Sequence, residues 1–155
     1  MMQLHLLDNP VDRFEGDVVA AIYFVEDRPL CGPAALLDWR LNGRLTEQLL
    51  QGSLDGSIGE QLLVQSNGKI AADWALLAGG GSRAGLDESG YRNLLRRLLS
   101  TCHRAGASRV ALGLGIPAGM TSAGLQRLVR LTLDEMAPAN LDCLLGIVDD
   151  GARLV

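Results

Sequence analysis

Histidine is scarce in this sequence. Only His5 and His103 occur among 155 residues, and neither stands in an HExxH or other ligand spacing. A co-catalytic metal site draws several carboxylate or imidazole donors to about 2 Å from each ion, so metal ligation by either histidine is not expected. His103 lies beside Arg104 at the end of a helical pattern and reads as a solvent-facing or dipole-complementing residue. Cysteine is scarce too. Cys31, Cys102 and Cys143 are widely separated, which excludes a CxxC redox or zinc pattern and suggests reduced, packed thiols in a cytoplasmic protein. There is no excess of basic residues. A net charge of -4 and a pI near 5.1 argue against a dedicated nucleic-acid binder, though not against a local basic patch. No apolar run approaches the roughly 20 residues of a membrane span. The start, MMQLHLLDNPVDRF, lacks the basic and apolar regions of a signal peptide. No GxSxG elbow occurs, and Ser82 has no histidine near it in sequence. Asp149 and Asp150 are paired, but adjacent strand residues point to opposite faces, so they read as solvated carboxylates.

What remains is ordinary globular material: 48% hydrophobic and 21% charged residues, enough for one domain over 1–155 with no need of covalent staples. Residues 3–7 alternate weakly and suggest a short strand. DVVAAIYFVED (17–27) reads as a buried strand. Gly32-Pro33 suits a helix start. Ala34, Leu37, Leu41, Leu45 and Leu49 then recur at helical steps, interrupted at Asn42-Gly43, so a second short helix is expected over 44–51. Strands over 60–66 and 72–79 flank Asn67-Gly68, a hairpin signal. Asp87 can cap a helix carrying Tyr91, Leu94, Leu95, Leu98, Leu99, Cys102 and Ala105, which Gly106 ends. A strand over 108–115, a helix over 122–136 capped by Thr121 and a strand over 141–149 complete the chain. Strands alternating with helices predict an α/β layered domain. The hairpin supplies its antiparallel part, and the units over 72–149 supply the parallel part.

Two glycine-rich junctions invite a chemical reading. Gly79, Gly80 and Gly81, followed by Ser82 and Arg83, offer close backbone approach, a hydroxyl donor and a cation. Gly113, Gly115 and Gly119 form a comparable loop after another strand. Such turns can present backbone N–H groups to a phosphate, and parallel strands would open both loops at one sheet edge. Neither loop matches GxGxxG or GxxxxGK[ST], and glycine at strand–helix junctions is common for backbone reasons, so a tight turn is the first reading and an anion site the second. Arg92, Arg96, Arg97, His103 and Arg104 on one helix, with Arg127 and Arg130 on the next, form a possible basic face. A solvated helix face is the simpler explanation.

The stretch LDWRLNGRLTEQLLQGSLDGSIGEQLLV (37–64) resembles the N-terminal domain of the leucyl aminopeptidases (peptidase family M17). There a leucine-aspartate pair opens a helix, a glycine interrupts it, and a G-x-x-G-E segment precedes a strand. The matching residues are Leu37, Asp38, Gly43, Leu45, Leu49, Gly56, Gly59 and Glu60. The likeness continues through WALLAGGG and LDESGYRNLLRRLLSTCHRAGASRVALGLG, roughly over 17–149. It implies a single three-layer macro-like domain: a mixed, mostly parallel sheet flanked by helices. The family's catalytic machinery lies in a separate C-terminal domain with a two-metal site and an NTDAEGR segment, and nothing like it occurs here. The resemblance therefore implies an accessory domain: no enzyme, no metal, no cofactor, and a role in binding a protein partner or in self-association. Because macro domains proper bind ADP-ribose at such loops, the resemblance also implies an alternative, a phosphate or nucleotide ligand at 79–85 and 113–120. Some members of the family bind DNA, which makes the arginine-rich face a second alternative.

Overall fold

The computed structural model describes residues 3–7, 10–117, 119–136 and 141–148. Among the described residues six strands form one sheet: β1 (Gln3–Leu6), β2 (Val18–Tyr23), β3 (Gln61–Gln65), β4 (Trp74–Gly79), β5 (Arg109–Gly115) and β6 (Asp142–Val148). Their spatial order is β1-β6-β5-β2-β4-β3. All neighbours are parallel except β3 and β4, which are antiparallel. Four helices flank the sheet: α1 (Gly32–Arg40), α2 (Arg44–Gln51), α3 (Glu88–Arg104) and α4 (Ser122–Met136). The described residues also include a short 3-10 helix, Val11–Arg13, that no sequence signal marks.

Period-two alternation explains the three layers. On β2, Val18 and Ala20 face α3 and α4, where Leu95, Leu98, Leu99, Leu125 and Val129 are fully buried. Val19, Ala21 and Tyr23 face the other way, toward Leu37, Leu41 and Leu45 of the α1–α2 region. Each such leucine contributes about 1.5–3 kcal/mol through burial, so the central strands are apolar on both faces because both are covered.

The local signals act as their chemistry predicts. Asn42 (φ 61°) and Gly43 (φ 74°) take left-handed conformations and separate α1 from α2. The Asp87 carboxylate accepts from the Gly90 N–H at 2.7 Å and opens α3. Thr121 Oγ1 accepts from the Gly124 N–H at 3.0 Å and opens α4. Gly106 (φ 82°) ends α3.

Three expectations need correction. The strand expected over 17–27 stops at Tyr23, because Phe24 N–H turns to the Asp27 carboxylate at 3.0 Å. The β3–β4 connection is no tight hairpin. Asn67 and Gly68 do have positive φ, but the chain continues through Ile70 and Ala72, which are buried with Val64 in the α1–α2 layer. Cys31 is exposed, whereas Cys102 and Cys143 are buried and burial pushes both thiols up to about 12. Among the described residues no helix is long and apolar enough to cross a membrane. The Asp149-Asp150 pair lies outside the described residues.

Candidate functional site

Parallel pairing brings the C-terminal ends of β2, β4, β5 and β6 to one sheet edge. Both glycine loops open there, but they are not adjacent. β2 lies between β4 and β5, so the segment after β2 stands between the two loops.

That segment fills the first loop's chemistry. Glu26 accepts from Ser82 Oγ at 2.6 Å and from the Arg83 N–H at 3.1 Å through each carboxylate oxygen. These bonds hold the Glu26 carboxyl below its ordinary value, the serine hydroxyl first and the backbone N–H second. Buried Asp27 takes the Arg83 guanidinium in a two-point contact, Nε and Nη2 each at 3.1 Å, and that guanidinium also stacks on Phe24 at 4.2 Å from the ring centroid. A forked arginine–carboxylate pair of this kind has fixed geometry. The hydroxyl, N–H and cation that suggested a phosphate cradle thus already hold two carboxylates of the same chain.

The three glycine N–H groups are also engaged. Gly79 donates to Glu60 O at 2.9 Å, Gly80 to Tyr23 O at 2.8 Å and Gly81 to Gly56 O at 2.8 Å. These glycines answer to packing. A Cβ on Gly79 would lie 2.2 Å from Ser57 O, and one on Gly80 would lie 2.5 Å from Phe24 Cε1. The neighbouring loop is tied by Glu60, whose Oε1 accepts from Tyr23 Oη (2.9 Å), Asp55 N (3.0 Å) and Gly56 N (2.9 Å). Burial first, and then this carboxylate, push the Tyr23 hydroxyl well above its usual range.

The second loop is more open. Gly113 is a packing position, where a Cβ would meet Val11 and Pro33 within 3 Å. Gly115 accepts weakly from Tyr91 Oη at 3.5 Å. Gly119 (φ 81°) faces open space. Beside it lies a cleft of about 390 Å³ between the starts of α3 and α4, lined among others by Asp87, Tyr91, Gly119, Thr121 and Arg127.

The arginines divide. Arg92 and Arg96 of α3 both pair with Glu135 of α4, which offsets one of the two charges at the centre of the basic face. Arg96, Arg97 and Arg104 line a separate groove of about 450 Å³ beside Gly59 and Gln61. Among the described residues no group of three or more His, Cys, Asp or Glu is placed to hold a metal ion. Sequence reasoning passed over Glu26 and Asp27. The available signal was an acidic pair directly after a buried strand, at the edge where the glycine loop also emerges.

A sheet layered by helices in this way superposes on solved macrodomains. The macrodomain of Mycobacterium tuberculosis DarG superposes with a TM-score of 0.70 at 12% identity, covering 93% of this chain and 97% of that one. The Trypanosoma brucei macrodomain in complex with ADP-ribose gives 0.65 at 17% identity, covering 94% and 63%. A mutant of tomato leucine aminopeptidase gives 0.70 at 16% identity, covering 96% of this chain and 32% of that one. Within this class, the chain belongs to the cytosol aminopeptidase family, whose N-terminal domain it matches over residues 18–131. A probable cytosol aminopeptidase of Pseudomonas fluorescens is 34% identical over 110 residues, which is 70% of this chain and 22% of that protein. The chain thus spans about a fifth of the length of the curated relatives it matches.

Proposed function

We propose that this chain is a non-catalytic, cytoplasmic interaction module of the aminopeptidase N-terminal type, which acts by binding a protein partner or by self-association. One observation carries the reading. At the strand-end edge, where open α/β folds place their ligand chemistry, the Ser82 hydroxyl, the Arg83 N–H and the Arg83 guanidinium are engaged by Glu26 and Asp27. A site closed on itself in this way is built to hold a shape. Incubation of pure protein with leucyl-p-nitroanilide and manganese or zinc is expected to give no turnover. Metal-dependent turnover would overturn the proposal. Light scattering after size exclusion separates the two modes: a mass that rises with concentration indicates self-association, and a constant monomer leaves a different protein as the partner.

A second reading has its own observation. The cleft beside Gly119 sets an exposed arginine, Arg127, opposite the Tyr91 ring, a cation and an aromatic surface that suit a phosphate-bearing small molecule held on the α4 side, away from the Asp87 and Glu88 carboxylates. A structural neighbour was solved with ADP-ribose. On this reading, calorimetry with ADP-ribose gives measurable heat, and Arg127→Ala weakens binding about tenfold. No heat at about 1 mM ligand excludes that compound.

A further inference from the structure

The sheet ends at β3, and that edge is open. Glu60 O accepts from Gly79 N and Ser66 N donates to Asp73 O, each at 2.9 Å, so even-numbered residues turn their backbone groups toward β4. By the two-residue period, Gln61, Leu63 and Gln65 turn theirs outward. Among the described residues nothing pairs with these groups. Natural edges are usually blunted by lysine, proline, bulges or inward charge. This one reads QLLVQ and has none of them.

The side chains of the same three residues lie on the α3 face. Leu63 is in register with Leu76 of that layer, and Gln61 accepts from Thr101 of α3 at 2.8 Å. Leu63 is 43% exposed, and Trp74 on the same face is 37% exposed. Over this edge stands the second groove, with Arg97 and Arg104. Unlike Arg92 and Arg96, these two exposed arginines have no acidic partner among the described residues, although the chain carries a net charge of -4.

We propose that this edge receives an extended acidic segment of a partner protein, which adds as a seventh strand to β3 and sets its carboxylates on Arg97 and Arg104. Outward N–H and C=O groups supply the backbone pairing, Leu63 and Trp74 an apolar bed for the methylenes of the carboxylate side chains on the same face, and the arginines the choice of sequence. A second copy of this chain fits poorly. Antiparallel pairing of two β3 edges about a two-fold axis normal to the sheet would bring both sets of arginines to the same face of the joint, and like charges there repel. The proposal rests on the interaction-module reading and names its partner class.

Fluorescence anisotropy tests it, using the full chain and a labelled short peptide alternating glutamate and valine, at low and at high salt. Saturable binding that weakens with salt is expected. The matching lysine–valine peptide should not bind, and R97E combined with R104E should weaken the glutamate peptide at least about tenfold. Leu63→Pro removes an outward N–H together with the Leu63 side chain, leaves the inward ladder to β4 in place, and should also abolish binding. If its melting curve shows that it does not fold, the arginine variant decides alone. No binding at about 1 mM peptide, or unchanged binding by the arginine variant, overturns the proposal. Equal binding of a glutamate peptide interrupted by prolines also overturns it, since the arginines would then hold any anion without strand addition. So does a concentration-dependent dimer abolished by Leu63→Pro, which would assign the edge to a second copy. None of these failures would produce peptidase turnover, so they remain distinguishable from failure of the non-catalytic reading.

Discussion

Replacing Gly79 by alanine is expected to lower the melting temperature by about 6–12 °C, the equivalent of about 3 kcal/mol in a domain of this size. The added methyl would sit 2.2 Å from Ser57 O and 2.9 Å from Gly56 O. Both obstacles are backbone atoms, so no side chain can rotate away. The loop that carries them cannot easily retreat. Gly81 N–H holds Gly56 O at 2.8 Å, and Glu60 holds the N–H groups of Asp55 and Gly56. Relief of the clash therefore means giving up several hydrogen bonds around a buried tyrosine. Gly85→Ala is the control within the same loop. A Cβ there meets nothing within 4 Å, and a change below about 0.5 kcal/mol is expected. Thermal melts of the two variants decide the matter. If Gly79→Ala melts with the parent, the loop has slack, and the packing account of the triple glycine fails.

This result bears on how loss-of-binding experiments in the loop are interpreted. A bulky residue at Gly80 would meet Phe24 and Ile22 at 2.5 and 2.8 Å. Weaker ligand binding by such a variant would reflect a damaged fold as readily as a blocked site. Arg127, exposed at the cleft, is the cleaner probe of a small-molecule site, because its removal leaves the core intact.

The fold was legible because its signals are local. Helical spacing from Tyr91 to Cys102, the caps at Asp87 and Thr121, and positive φ at Asn42-Gly43 and Gly106 each act within a few residues. They survive without knowledge of the rest of the chain. The site was less legible because its contacts are distant. Glu26 and Asp27 reach Ser82 and Arg83 across more than fifty positions, and only the order β4-β2-β5 places the segment after β2 between the two glycine loops. Residue types alone suggested donors waiting for an anion. They could not show that the chain supplies its own. The arginines repeat this lesson. One helix face carries Arg92, Arg96 and Arg97, yet α4 brings Glu135 to the first two and leaves the third over the β3 edge. The Leu37-Asp38 pair is a further case. The resemblance placed it at a helix opening, whereas it sits in the last turn of α1, and the helix its aspartate opens is the next one.

That aspartate carries the second large expectation. Asp38 is buried, and one carboxylate serves the start of α2. Oδ1 accepts from Leu45 N at 2.7 Å and Thr46 N at 3.3 Å, and Oδ2 accepts from Thr46 Oγ1 at 2.6 Å. The N-cap position itself is Gly43, which has no side chain to do this. Asp38→Ala removes the cap, worth about 1 kcal/mol, and strands the N–H of the fully buried Leu45, at a further cost of about 1–3 kcal/mol. A fall of about 4–16 °C in melting temperature follows. Asp38→Asn keeps an acceptor for the N–H groups and loses only the charge at the helix N-terminus, worth about 0.3–1 kcal/mol, so it should fall by a few degrees at most. Thr46→Val removes one partner of the same carboxylate. Its cost should therefore shrink by at least about 0.5 kcal/mol when Asp38 is already alanine. Strict additivity in that double-mutant cycle would remove the Thr46 hydroxyl from the cap and leave the Leu45 N–H bond as its substance, whereas an unchanged melting temperature for Asp38→Ala would mean that α2 is held by the burial of Leu45 alone and that the carboxylate contributes nothing to the joint between the two helices.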